Sequence, residues 1–140
     1  MQPFTYERRV AFSDTDAMGV VHHANYLRFF EEARVAWMRA KNLGHTHFPQ
    51  SDKVLAVLSY QVWHYKPCTF EDLLTMRIQV RMVGLRVNYQ CSFFKGEEII
   101  AQAETYHNPV DGKLRPCRPD PDFVKQMEKE QWTETWLLNS

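Results

Sequence analysis

The sequence predicts an α+β fold: an antiparallel five-stranded sheet wrapped around one long helix, with a short C-terminal helix. Two observations carry this expectation. One segment repeats its apolar residues with the period of a helix, whereas three others alternate with the period of a strand and two more read as strands from their composition or a hairpin turn. Four of those five follow one another through short turns, which favours antiparallel pairing. A lone amphipathic helix must bury its apolar stripe, and the sheet is the surface that can cover it.

The first strand is expected from Phe4 to about Ser13, where Phe4, Tyr6, Val10 and Phe12 alternate with more polar neighbours. A loop from Asp14 to His23 leads to the helix. There Tyr26, Phe30, Ala33, Trp37 and Ala40 fall on one stripe, with Arg28, Glu31, Glu32 and Arg39 on the opposite side. Gly44, after Asn42 and Leu43, suits a C-terminal stop, so the predicted helix spans about Ala24 to Asn42. His45 and His47 read as loop residues beyond it. The next strand is predicted from Val54 to Tyr65. Leu74, Met76, Ile78, Val80 and Met82 then alternate with Thr75, Arg77, Gln79 and Arg81, and Leu85, Val87, Tyr89, Cys91 and Phe93 repeat the pattern. Lys95-Gly96-Glu97 reads as a hairpin turn into a last strand, Glu98 to Asn108. Pro109, Pro116, Pro119 and Pro121 punctuate the stretch beyond that strand, and Asp122 to Trp132 reads as the terminal helix.

The 140 residues suit one domain, 1–140, without linker, repeat or low-complexity segment. Aromatic residues make up 14%, which favours strands and a large core, or a pocket for flat or oily ligands. Lys and Arg number 17, as do Asp and Glu, so the formal charge is zero. A sequence-independent nucleic-acid binder needs a cationic surplus, and none exists here. Cys68, Cys91 and Cys117 are odd in number and far apart, which suits reduced thiols better than a disulfide framework or a zinc ribbon. The first residues lack the apolar core of a secretory signal, and no apolar run approaches the roughly 20 residues that span a bilayer. The expectation is a cytoplasmic protein, not transmembrane, with no nucleic-acid partner.

Polar chemistry concentrates in the segment Asp14-Thr15-Asp16-Ala17-Met18-Gly19-Val20-Val21-His22-His23-Ala24-Asn25-Tyr26, just before the helix. A helix N-terminus carries free N–H groups and partial positive charge, which suits a developing oxyanion. A nearby carboxylate can attack a carbonyl or activate water. Together these fit acyl transfer from an activated ester. The same residues have simpler uses. Asp14 and Asp16 also suit turn and capping positions, His22 and His23 suit polar surface residues, and Asn25 suits a helix cap. Gly19 suits a turn with positive φ in either case. No standard ligand spacing supports a metal site from Asp14, Asp16, His22 and His23.

This segment resembles the signature of the 4-hydroxybenzoyl-CoA thioesterase family, with its near relatives, the small bacterial acyl-CoA thioesterases associated with the Tol–Pal gene cluster. The family pattern, roughly D-[TC]-D-x-x-G-[IV]-V-x-[HYF]-x-x-[YF], is met at every position from Asp14 to Tyr26. The order of predicted elements also fits the hot-dog fold of that family. The resemblance implies an acyl-CoA thioesterase that hydrolyses a short-chain or aromatic acyl-CoA to free acid and coenzyme A. It implies that Asp16 is the catalytic carboxylate, as nucleophile or general base, and that the His23 backbone N–H is the oxyanion donor. Gly19 and Val20 would place backbone near the thioester, while His22, Asn25 and Tyr26 would shape the pocket. Asp14 would hold the loop rather than do chemistry.

The resemblance implies no cofactor, since coenzyme A is part of the substrate. It also implies a homo-oligomer, dimer or tetramer, with the site between protomers. Lys66, Arg77, Arg81 and Arg86 are candidates for the coenzyme A phosphates, and each also suits an ordinary solvated position. Phe29, Phe30, Trp37 and Trp63 are candidates to flank the acyl group. Two alternatives stay open: an acyl carrier protein in place of coenzyme A, and a non-catalytic acyl-CoA binding protein.

Overall fold

The computed structural model describes residues 3–43 and 53–135. Gly44, His45 and His47 lie outside the described residues. In chain order the elements are β1 (Phe4–Arg9), α1 (Asn25–Ala40), β2 (Val54–His64), β3 (Leu73–Val83), β4 (Arg86–Lys95), β5 (Glu98–Val110) and α2 (Pro121–Lys129). The five strands form one sheet in the order β1-β3-β4-β5-β2, with every neighbouring pair antiparallel. This is the hot-dog fold, with α1 as the filling. Neither described helix is long and apolar enough to cross a membrane.

β1 is shorter than predicted. After Arg9 the chain turns: the Val10 N–H donates to Asp72 O, and residues Phe12–Asp14 form one turn of 3₁₀ helix. Val10 keeps its predicted inward position, but Phe12 is 76% exposed and packs edge-on against Phe70. The period of two is broken because Asp14 captures the Ala11 N–H in place of a strand partner. Along α1, Tyr26, Phe30, Ala33 and Trp37 are buried as the stripe requires, joined by Phe29 and Met38. Ala40 is exposed, since the helix ends there and Leu43 folds back to bond Met38 O.

The inner face of the sheet follows the alternation. Leu74, Met76, Ile78 and Val80 of β3 and Val87, Tyr89, Cys91 and Phe93 of β4 are all buried against α1. Met82 is only half-buried, and Leu85 sits exposed in the β3–β4 turn beside Gly84 at φ +64°. Gly96 adopts the same φ in the β4–β5 turn, a value that an L side chain rarely tolerates. Aromatic edges tie the layers together: Phe123 of α2 meets Trp37, and Trp37 meets Tyr89 on β4. The Trp37 indole N–H donates to Glu130.

The outer face carries polar side chains that bond across strands, among them Gln79 to Gln90, Gln90 to Glu104, and Gln102 to Ser92. α2 ends at Lys129, three residues before the predicted Trp132. Trp132 belongs instead to an extended segment, where the Arg81 guanidinium stacks 4.1 Å from its ring centroid. The β1–β3 and β5–β2 pairs leave β1 and β2 as the two edges of the sheet.

Phe93 is fully buried between the sheet and α1, so Phe93→Ala should destabilise the fold by about 3–5 kcal/mol. Phe12→Ala should change stability by only about 0.5 kcal/mol. Urea titration of both variants checks the pair, and equal losses would contradict this core assignment.

Candidate active site

Asp14 organises the segment between β1 and α1. Its side chain is 1% exposed and accepts from Arg8 Nη1 at 2.9 Å and from the Ala11 N–H at 2.7 Å. Arg28 Nη2 bonds the other carboxylate oxygen. Both guanidiniums also lie over the Phe29 ring, at 4.6 Å and 5.5 Å from its centroid. Arg8 reaches Glu32 as well, which takes a further bond from the Tyr6 hydroxyl. Burial alone would raise the Asp14 pKa. The Ala11 N–H and the Arg8 and Arg28 guanidiniums outweigh that and hold it below the ordinary carboxylate range.

The backbone of Asp14 is equally engaged. Its carbonyl accepts from the His22 N–H at 3.0 Å and from Asn25 Nδ2 at 2.8 Å. Asn25 therefore is not the helix cap. It is the first residue of α1, its side chain points back to the loop, and Ala24 holds the cap position without a side-chain bond.

Asp16 sits two residues on, in a different setting. Its Oδ1 accepts from the Met18 N–H at 2.8 Å, an Asx-type turn. The Gly19 N–H donates to Asp16 O, and the Asp16 N–H donates to Val20 O, both at 2.9 Å. Gly19 adopts φ +82°, and a Cβ there would meet nothing within 4 Å. The requirement for glycine is thus conformational, not spatial. Beyond the turn, Val20 bridges to Thr69 and the Val21 N–H donates to Cys68 O, which pins the loop to the β2–β3 connection.

At the start of α1 the Ala24 N–H donates to His22 Nδ1 at 3.1 Å, which leaves Nε2 to carry the proton of the neutral ring. His22 and His23 are exposed and stack at 4.2 Å. The His23 N–H has no acceptor among the described residues. Tyr26 is buried, and its hydroxyl lies 3.3 Å from Cys68 Sγ. His64, at the end of β2, meets the Tyr26 ring edge-on at 4.9 Å. Burial, then the nearby charge of His23, lowers the His64 pKa.

The loop residues predicted as site members, Asp16 to Tyr26, therefore converge on the N-terminus of α1. The arrangement offers a half-open carboxylate, an unoccupied N–H and a stacked pair of imidazoles, a set suited to acyl transfer. Sequence reasoning missed Arg8, Arg28, Cys68 and His64. Arg8 and Arg28 read as ordinary charges, and Cys68 and His64 reach the site only through strand pairing. Among the described residues, no group of three or more His, Cys, Asp or Glu is placed to hold a metal ion.

The basic candidates do not gather at this end. Lys66 is the near one: its N–H donates to Ile100 O, and its Nζ pairs with Glu98 at 2.8 Å. Arg77 lies over Phe94 on the outer face. Arg81 is held by Asn88, Glu134 and Trp132. Arg86 begins β4, whereas the active-site end of that strand is Lys95, paired with Asp72. At about 3.3 Å per residue the two ends of β4 are roughly 30 Å apart. Arg81 and Arg86 thus cannot share one phosphate site with Lys66 in a single protomer. Phe29, Phe30 and Trp37 are core residues, and Trp63 is half-buried on β2.

Asp14→Asn should cost about 2–3 kcal/mol, less than a fully buried pair because Arg28 stays half-exposed. An Asp pKa lowered in the folded state stabilises above the unfolded value of about 3.9, and that contribution is lost as pH falls through the folded value. The wild type should therefore lose stability below about pH 4 more steeply than Asp14→Asn. Urea midpoints measured from pH 7 to pH 3 check this; parallel curves would contradict it.

The sequence model of the thioesterase-like superfamily matches residues 10–127. Acyl-CoA thioesterase YbgC of Haemophilus influenzae is 30% identical over 116 residues, covering 81% of this chain and 85% of that protein. The 1,4-dihydroxy-2-naphthoyl-CoA hydrolase of Nostoc punctiforme is 30% identical over 136 residues, covering 94% and 87%. Among solved structures, a hypothetical protein from Aquifex aeolicus superposes with a TM-score of 0.80 at 29% identity, covering 89% of this chain and 98% of its own. The chain belongs to the thioesterase-like superfamily and is a thioester hydrolase with the hot-dog fold.

Proposed function

We propose that this protein hydrolyses acyl-CoA thioesters to free acid and coenzyme A, with the Asp16 carboxylate as nucleophile or general base. The observation that supports it best is the contrast between two carboxylates two residues apart. Asp14 is buried and saturated with donors, whereas Asp16 is half-exposed and accepts one bond, at Oδ1. A reacting carboxylate needs a free oxygen, and only Asp16 offers one. The thioester carbonyl would lie against the His23 N–H, with Gly19 and Val20 backbone beside it and His22, Asn25 and Tyr26 shaping the mouth.

Hydrolysis then needs two events at that carbon. An oxygen nucleophile, from Asp16 or from a water that Asp16 deprotonates, adds to the carbonyl. The C–S bond breaks, and the thiolate of coenzyme A leaves and takes a proton from solvent. Where Asp16 itself has added, the same two events repeat on the acyl–Asp16 anhydride, with water adding and the Asp16 carboxylate leaving as the free acid forms. Charge on the carbonyl oxygen grows at the N-terminus of α1, where the helix field favours it. No resident metal or cofactor is called for.

The names of the relatives support coenzyme A over a carrier protein, as does the absence of net positive charge. The complete pattern from Asp14 to Tyr26 supports the 4-hydroxybenzoyl-CoA and Tol–Pal-associated type within the superfamily, with a short-chain or aromatic acyl group as the starting expectation. Lys66, at the site end, is the basic candidate best placed for a phosphate. We also infer a homo-oligomer, dimer or tetramer. β2 is an edge strand of 11 residues that exposes Val57, Leu58 and Tyr60, a surface that invites pairing.

Asp16→Asn should lower kcat/KM for acyl-CoA by about 100-fold or more without lowering the melting temperature. Release of free thiol from acetyl-, octanoyl-, palmitoyl- and benzoyl-CoA, trapped with a chromogenic disulfide, measures this. Full activity in Asp16→Asn would sink the assignment. Sedimentation at assay concentration should show a dimer or tetramer, and a fully active monomer would contradict the oligomer.

A further inference from the structure

The inner face of the sheet changes chemistry toward β2. Register places Ala101, Ala103, Thr105 and His107 of β5 beside the inward Phe93, Cys91, Tyr89 and Val87 of β4. Two small residues are thus followed by two polar ones on a face that is otherwise apolar. α1 leans toward β1 and β3. A groove of about 280 Å³ remains between α1 and the β5–β2 side, walled by Leu27, Phe30, Val57 and Tyr60.

At the floor of this groove, one polar atom lacks a partner. His107 is 2% exposed, and its Nδ1 has no hydrogen bond, while its Nε2 lies 2.8 Å from Thr105 Oγ1. Behind it the Tyr89 hydroxyl, in a ring whose centroid is 5.5 Å from that of His107, is buried and unbonded but does not line the groove. Arg34 reaches the groove from α1. Its guanidinium forms no ion pair among the described residues, and its contact is Met38 Sδ at 3.8 Å. Burial, then the Arg34 charge, pushes the His107 pKa down to about 3, so the ring is neutral when the protein is folded. Groups buried without partners cost stability, and ligand pockets are where such groups persist.

The donors outnumber the acceptors here, and one is cationic. Arg34 donates, and Nδ1–H of His107 donates when the Thr105 hydroxyl bonds Nε2. The complement is an anionic acceptor at the end of an apolar chain. We propose that this groove binds the acyl portion of a substrate whose far end carries a second carboxylate, paired with Arg34 and hydrogen-bonded by His107. This inference rests on the proposed acyl-CoA activity and narrows its acyl group. Leu27, two residues beyond Asn25, is the groove residue nearest the loop along the chain, and Arg34 lies about 14 Å along α1 from Asn25, so the acyl chain must be long enough to span that distance. Glu31 also lines the groove, one turn nearer the loop. It disfavours a carboxylate that stops short and so favours one that reaches Arg34.

The test compares thiol release from adipyl-, suberyl- and sebacyl-CoA with release from hexanoyl-, octanoyl- and decanoyl-CoA. At one matched length or more, the dicarboxylic thioester should have a kcat/KM about tenfold higher. Arg34→Met should bring that ratio to about one, through KM rather than kcat, and Arg34→Lys should keep part of it. A wild-type ratio of one or less at every length overturns the proposal, as it would if a second copy of the chain filled the groove. An unchanged ratio in Arg34→Met overturns it too. Those outcomes, with thiol still released, leave the acyl-CoA activity standing. No release from either series or from benzoyl-CoA overturns both.

Discussion

A buried carboxylate, Asp14, takes hydrogen bonds from Arg8 on β1, from Arg28 on α1 and from the Ala11 N–H, while its own carbonyl accepts from His22 and Asn25. Removing a charge from water is expensive unless its lone pairs are filled, and here donors fill them. The five donors come from four pieces of the structure: the end of the edge strand, the turn after it, the loop, and the first turns of the long helix, which supplies both Asn25 and Arg28. Asp14 thereby fixes the angle at which α1 enters the sheet. It also fixes the path of the loop that carries Asp16. The clamp explains why β1 stops at Arg9, and why Phe12 is turned outward.

The helix so placed does not cover the sheet evenly. It packs toward β1 and β3, so the core is densest where Leu74, Met76, Tyr89 and Phe93 meet Phe29, Phe30 and Trp37. On the other side the inward positions of β5 shrink to alanine and then turn polar at Thr105 and His107. A sheet face that buried only to stabilise would continue with Val, Ile or Leu. The loss of apolar packing on the β5–β2 side leaves space beside α1 from Leu27 to Arg34, and the fold tolerates it because the core on the β3–β4 side is complete.

Much of this was legible in the sequence, for identifiable reasons. Element type and order followed from periodicity, because Tyr26 to Trp37 and Leu74 to Val80 bury one face each. The ends of elements were less legible. Phe12 and Ala40 continue the apolar pattern, but a side-chain bond to Asp14 and the end of α1 decide their exposure. The same holds for Trp132, whose partner is Arg81 some fifty positions earlier. Within the site, contiguous residues were readable because the motif is contiguous. Arg8, Arg28, Cys68 and His64 were not, since only strand pairing and the helix turn bring them there. The basic candidates are less legible for the opposite reason: alternation puts Arg77 and Arg81 on the outer face, but does not say at which end of a strand a phosphate would lie.

The spacing of Asp14 and Asp16 bears on how the two divide their work. In an extended segment, residues two apart point the same way, and two carboxylates there would repel and share a proton. The chain avoids this by turning. Thr15 bridges to Val21, and the turn from Asp16 to Val20 swings the second carboxylate out of the cluster of arginines around the first. Asp14 is thus neutralised by cations and Asp16 is not. Pairing with an arginine would hold a carboxylate charged but also occupy its lone pairs and reduce its basicity. The Met18 N–H orients Asp16 through one oxygen and leaves the other without a partner among the described residues. A carboxylate fixed in direction yet unsatisfied at one oxygen keeps a lone pair available to a proton or an electrophile. The positive charge that would quench it is held by its neighbour two residues earlier.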